Sequence, residues 1–222
     1  MDVWGWFADS ASWQGDDGIW HRLAEHSLLT LTALLLAAVV GLPLALWLGH
    51  TGRGGLVLVN LTNVGRAIPV IALLSLLSLG FVGSATLGPY GRAGLATLLT
   101  LTAFALPPIV TITTEAVRGV DAQLVEAARG MGMSGWQLLT RVEIPNALPL
   151  IISGLRLALV QVWATATIAA LVAGPGLGRI IVHGYDSDNG AEVIGAATIV
   201  AAVALVLEGG MTLLQRAVTR PG

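Results

Sequence analysis

The chain of 222 residues has no cysteine and no lysine. Without cysteine there are no disulfide staples, no thiolate metal sites and no thiol nucleophile. Without lysine, eleven arginines carry all the fixed positive charge against thirteen acidic residues, a net charge of −2. No overall basic field suited to nucleic acid results. Charged residues of either sign are scarce at 11%, whereas hydrophobic residues reach 55%. A mean hydropathy of +0.81 places the chain outside the soluble globular range and predicts an integral membrane protein. Catalytic signatures are also missing. There is no H-E-x-x-H, no G-x-S-x-G turn and no G-x-x-x-x-G-K phosphate loop, and His21, His26, His50 and His183 are scattered. The expectation is a non-enzyme with no cofactor and no metal.

What the chain does have is long apolar runs. Residues 1–22 form a Trp-rich segment in which Trp4, Trp6, Trp13 and Trp20 stand among Asp2, Asp9, Asp16 and Asp17. Its start is acidic, unlike a signal peptide. Indole beside acid suits the outer membrane boundary, where the ring is half in hydrocarbon and its N–H stays wet. Five spans are expected within residues 23–216: Ser27–Leu48, a second beginning near Ala67 and ending near Val82, Ala93–Thr114, Leu157–Gly178 and about Val193–Leu214. A run of about 20 apolar residues crosses a hydrocarbon core of about 30 Å. Pro43 should kink the first span, a bend is expected near Pro69, and Pro107–Pro108 should break the hydrogen-bond ladder of the third. Arg66 needs the inner interface or an acidic partner. Arg179 to Glu192 reads as an outer loop or short re-entrant turn, and residues 217–222 as a cytoplasmic tail.

Between the third and fourth spans the run Val120–Pro145, inside a loop spanning 118–147, reads as two short helices and a turn. Asp121 can cap the first helix, and Gly130 and Gly132 stop it. Ser134 and Gln137 form an S-x-x-Q capping box for the second, and Pro145 is expected to close the unit. Glu126-Ala127-Ala128, then Gly132, then Val142-Glu143-Ile144-Pro145 resembles the EAA loop of bacterial ABC importer permeases, with Val142 where that family usually has Ile. The resemblance implies an all-α integral membrane fold on the type I ABC importer permease plan. It also implies a cytoplasmic coupling role for Glu126, Ala127, Ala128, Gly132, Ile144 and Pro145. A plain interfacial helix pair remains the alternative.

Three further stretches resemble the osmoprotectant permeases for glycine betaine, carnitine or choline: Asn63 to Pro69, Gly176-Leu177-Gly178 with Gly184, and Asp188 with Gly195-Ala196. Permeases for methionine, which share the plan and a phrase related to Arg66-Ala67-Ile68-Pro69, or for another amino acid are the second reading. An ion channel or membrane scaffold would explain the spans but not the helical pair. The resemblance implies as partners two copies of an ATP-binding subunit, a second permease, identical or homologous, an extracytoplasmic substrate-binding protein, and membrane lipid. Candidates for the translocation pathway are Arg66, Pro69, Trp163 and Glu208. Trp163 has core packing as its ordinary alternative, and Glu208 has pairing with an arginine of a neighbouring helix.

With the N-terminus outside, five spans put Arg53, Arg118, Arg129, Arg141, Arg156, Arg216 and Arg220 inside and leave Arg92 and Arg179 outside among acids, as the positive-inside rule requires. A tag at residue 1 should therefore report the extracytoplasmic side and one at residue 222 the cytoplasmic side of the bacterial cell membrane. Protease accessibility in intact cells measures this, and both ends on one side would overturn the five-span count.

Overall fold

The computed structural model describes residues 2–54, 67–83 and 86–219. The described residues are helical, without strands. Short α1 (Val3–Ala8) and a 3-10 turn (Ser10–Ser12) precede α2 (Ile19–Thr51). Then come α3 (Val70–Leu76, continued by a π turn over Leu77–Phe81), α4 (Gly94–Arg118), α5 (Ala122–Gly130), α6 (Gly135–Leu138), α7 (Ile144–Ala166), α8 (Gly178–Asp186) and α9 (Gly190–Thr219). A π turn over Leu139–Glu143 joins α6 to α7, and a 3-10 segment over Thr167–Val172 extends α7. Together they make one continuous rod, Gly135–Val172.

Among the described residues, four helices are long and apolar enough to cross a membrane: α2, α4, the rod and α9. The second expected span appears as α3 with its π turn, an apolar stretch of Val70–Gly80. At 1.5 Å per residue that is roughly 17 Å, short of a full crossing. The bend near Pro69 coincides with an extended backbone at that residue, after which α3 begins. The remainder of that region, including Arg66 and residues 55–65, lies outside the described residues.

Several sequence expectations need correction. Pro145 does not close the coupling unit. It sits in the first turn of α7, where its missing N–H is tolerated, and the helix runs on. The helix that carries the fourth expected span does not begin at Leu157: the rod starts at Gly135, and Arg156 lies well inside it. Nor does that span extend to Gly178. It ends at Val172, where Ala173 takes a left-handed φ of 59°, and Gly178 instead opens α8. Pro107 and Pro108 lie within an uninterrupted α4.

The core is a three-helix stack with α4 between α2 and the rod. Leu29, Ala33 and Ala37 of α2 meet Leu98, Leu101, Ala105 and Ile109 of α4 and Ala158, Val162 and Ala166 of α7. Lipid tails are as apolar as these side chains, so close packing rather than water exclusion drives such contacts, and small residues allow it. A Cβ on Gly41 would lie 3.2 Å from Ile109, one on Gly154 3.1 Å from Ile112, and one on Gly49 only 2.6 Å from Val117. A second cluster unites Trp6, Ile19, Trp163, Leu177, Ile180 and Ala196, with the Trp6 ring seated on Gly195. The Trp-rich segment is therefore partly folded onto α9, while Trp4 and Trp20 remain exposed.

Gly49→Leu is expected to push α2 off α4, because the obstructing Val117 Cβ is close to backbone. Overpacking of this kind costs about 1–3 kcal/mol. A lowered unfolding midpoint in detergent would register it, whereas an unchanged midpoint would mean the helices do not touch there.

Candidate functional site

The loop between α4 and the rod has its own small architecture. The Asp121 carboxylate accepts the Gln123 amide at 2.8 Å and starts α5. At the other end, the Met131 amide donates to the Ala127 carbonyl and the Met133 amide to the Ala128 carbonyl. These bonds satisfy the last carbonyls of α5. Gly132 has a φ of +84° in this turn, and nothing lies within 4 Å of where a Cβ would stand. Ser134 and Gln137 complete both halves of the capping box. Inside the pair, Ala128, Leu138 and Val142 are buried with help from Val125 and Met133.

The remaining motif residues face outward. Glu126, Ala127 and Pro145 are exposed, Ile144 is half-buried, and Leu124, Met131 and Trp136 present exposed apolar surface. Met131 and Trp136 are each 73% exposed. The helical repeat Leu124, Val125, Ala128, Met131 thus serves two surfaces, one folding the pair and one left open.

Sequence reasoning overlooked what anchors this loop. His50, in the last turn of α2, donates from Nδ1 to the Glu143 carboxylate at 2.6 Å. Glu143 is 4% exposed. Gly135 lies against the other face of the bond, since a Cβ there would sit 3.3 Å from His50 Nε2. Arg118 donates to the carbonyls of Leu48 and Arg53, and the Thr114 hydroxyl to that of Ala45. The available signal was an acid, Glu143, among apolar residues, which demands a buried partner. Spacing alone cannot name a partner 93 residues away.

The pathway candidates are not brought together. Arg66 lies outside the described residues. Pro69 is exposed ahead of α3. Trp163 is 1% exposed and enclosed within the chain, its indole N–H donating to the Val200 carbonyl at 2.9 Å, so its side chain lines no open surface in this conformation. Glu208 pairs with Arg156 at 3.4 Å, and the same guanidinium donates to Thr212 and Gln215.

At the opposite end of the bundle from His50, the break after the rod is pinned to α2. The Gly176 amide donates to Glu25 at 3.1 Å and the Leu177 amide to His26 Nδ1 at 3.3 Å. Because Nδ1 accepts, Nε2 carries the hydrogen and donates to the Trp163 carbonyl at 2.9 Å, which makes His26 a neutral imidazole. Gly176 has a φ of +103°, and a Cβ there would come 2.8 Å from that ring. Nearby, the Arg22 guanidinium bonds Asp17, holding its carboxyl below the usual carboxylate range.

Residues 37–220 match the model of the binding-protein-dependent transport system inner membrane component. The chain belongs to that family. It is 33% identical over 195 residues to the carnitine transport permease protein OpuCB of Listeria monocytogenes, covering 88% of this chain and 85% of that one. It is 28% identical to the glycine betaine/carnitine/choline permease OpuCB of Bacillus subtilis, covering 91% and 89%. With the glycine betaine/proline betaine permease ProW of Escherichia coli it shares 31% identity over 87% of this chain and 52% of that one. The fold is that of the permease chain in the inward-facing MetNI methionine ABC transporter, with a TM-score of 0.75 at 24% identity over 91% of this chain and 96% of that one. This family member is thus an all-helical membrane permease rather than a catalytic subunit.

For this permease, Gly132→Trp should leave membrane insertion intact, since the new side chain meets open space, while straining a left-handed backbone by about 1–3 kcal/mol. Expression and membrane insertion should stay near wild type and the unfolding midpoint in detergent should fall only as far as that strain requires, while transport falls sharply. Normal transport would remove the turn from the working surface.

Proposed function

We propose that this chain is the permease subunit of an ATP-driven importer of quaternary ammonium osmoprotectants such as glycine betaine, carnitine or choline. It forms the translocation pathway with a second permease copy or a close relative. The single observation that carries the cargo is the set of relatives named for these compounds at 28–33% identity across most of the chain. Beyond the short phrase Arg66 to Pro69, the methionine reading draws on the likeness of fold, and a shared fold does not select a substrate.

The loop 118–147 is the coupling element in this reading. Glu126, Ala127 and Gly132 face outward beside the exposed Leu124, Met131 and Trp136, a mixed polar and apolar surface suited to the groove of an ATP-binding subunit. Two such subunits would bind and hydrolyse ATP. Their closure would move the docked loops and shift the spans between outward-open and inward-open states. An extracytoplasmic binding protein would hold the cargo, whose cation is attracted to aromatic faces. The N-terminus lies outside and the C-terminus inside the cell membrane. A channel or scaffold has no use for this paired surface.

The test is uptake of labelled glycine betaine in cells that lack their own osmoprotectant transport and express the permease with its ATPase and binding protein. Choline or carnitine should compete and methionine should not. Competition by methionine alone would reverse the assignment.

A further inference from the structure

We infer that His50 and Glu143 form a strut through which the coupling loop moves the first long span, and that both are positioning residues for transport. The inference rests on the coupling reading of loop 118–147 and adds how movement leaves that loop. One route out is covalent. The helix α6 that carries Trp136 continues without a break into α7, so any tilt of α6 is a tilt of the rod. α2 has no such continuity with the loop, being separated from it in sequence by α3 and α4.

The link to α2 is the His50–Glu143 bond. Glu143 is the last residue of the π turn joining α6 to α7, the point where the loop becomes the span. A buried carboxylate loses its hydration and holds tightly to the hydrogen-bond donor that replaces it. At 2.6 Å, between groups whose side chains are 22% and 6% exposed, this bond is short and largely shielded from water. The imidazole is also confined on its Nε2 side by Gly135, the first residue of α6. His50 is therefore held by both ends of the α6 and π-turn segment. Three other ties complete the block: Arg118 holds the Leu48 and Arg53 carbonyls, the Thr114 hydroxyl holds the Ala45 carbonyl, and Gly49 rests on Val117. These fasten α2 to α4, but none reaches α6 or the π turn. Leu42 and Leu46 of α2 also pack beside Ala147 and Ile151 of the rod, but among the polar ties described at this end His50–Glu143 is the one that joins α2 to the π turn itself, where the loop becomes the span.

The permease itself has no cysteine, so introduced thiols are the only ones on this chain. The full complex of permease, ATP-binding subunit and binding protein is reconstituted in vesicles with His50→Ala, Glu143→Gln, Glu143→Ala and the double His50→Ala/Glu143→Ala variant. ATP hydrolysed and labelled glycine betaine imported are measured together. His50→Ala and Glu143→Ala should each raise the ATP used per molecule imported several-fold while the ATP-binding subunit still co-purifies. Glu143→Gln, which keeps an acceptor for the imidazole, should stay closer to wild type. The double variant should be no worse than either single one, because both remove the same bond. His50→Cys/Glu143→Cys should be uncoupled until a short thiol-reactive crosslinker bridges the pair, which should restore the ratio. A purely structural role would lower yield and leave the ratio unchanged, and that result overturns the strut. Loss of the ATP-binding subunit from His50→Ala overturns it as well, by assigning the pair to docking. Failure of the underlying coupling reading is distinguishable. It would appear in Gly132→Trp, which leaves His50 and Glu143 in place, as normal ATPase association and normal uptake.

Discussion

Close approach of α2, α4 and the rod is the constraint on which the rest of this permease depends. In hydrocarbon the helices gain little from excluding water, so they hold together through contact and through bonds that satisfy buried polar groups. Gly41 and Gly49 let α2 lie against Ile109 and Val117 of α4, and Gly154 lets the rod lie against Ile112 on another side of it. Alanines fill the seam between them, with Ala33, Ala37, Ala105, Ala158 and Ala166 all at zero exposure. With larger residues there, the ends of the helices would no longer sit close enough for the polar ties that follow.

Those ties occur at the two ends of the stack and have different characters. At one end Glu25 and His26 receive backbone amides from the break after the rod, supplying partners that an irregular segment at membrane depth requires. At the other end His50, Thr114 and Arg118 join α2 to its neighbours through a carboxylate and backbone carbonyls. Between these ends the seam is mostly apolar, with the buried threonines Thr30, Thr97, Thr100 and Thr113 among the described residues. The fourth long helix, α9, is held differently, by the Arg156 cluster with Glu208, Thr212 and Gln215 and by the seat of Trp6 on Gly195. The fold thus sets a closely packed block of α2, α4 and rod beside a helix tied to the rod by a series of polar contacts, among them Trp163 to the Val200 carbonyl and Gln215 to the Pro149 carbonyl.

The loop 118–147 follows the same economy of contact. Its short apolar repeat supplies one surface that holds its helices together and another that is left exposed. Ala128 is small enough to be covered by Leu138 and Val142. Met131 and Trp136, too large for that space, are left outside. Gly132 permits the reversal between the helices through a positive φ that a side chain would resist.

Much of this was legible in the amino-acid order because it is local. Apolar runs of membrane length, the Asp121 cap, the Ser134–Gln137 capping box and the turn at Gly132 each depend on residues within a few positions of one another. The spacing from Glu126 to Pro145 was enough to point to the family. The role of Pro145 was misread, because a proline is as compatible with the first turn of a new helix as with the end of an old one. The choice depended on the π turn before it. Likewise the fourth span was placed from hydropathy, which does not register that α6, α7 and the 3-10 segment are collinear. Only the tertiary structure decided that Glu143 meets His50, that Glu208 meets Arg156, that Trp163 is enclosed, and that His26 receives the amide of Leu177. In each case the partners are brought together by the packing of separate helices, and the pairing follows from where those helices cross, which no local pattern encodes.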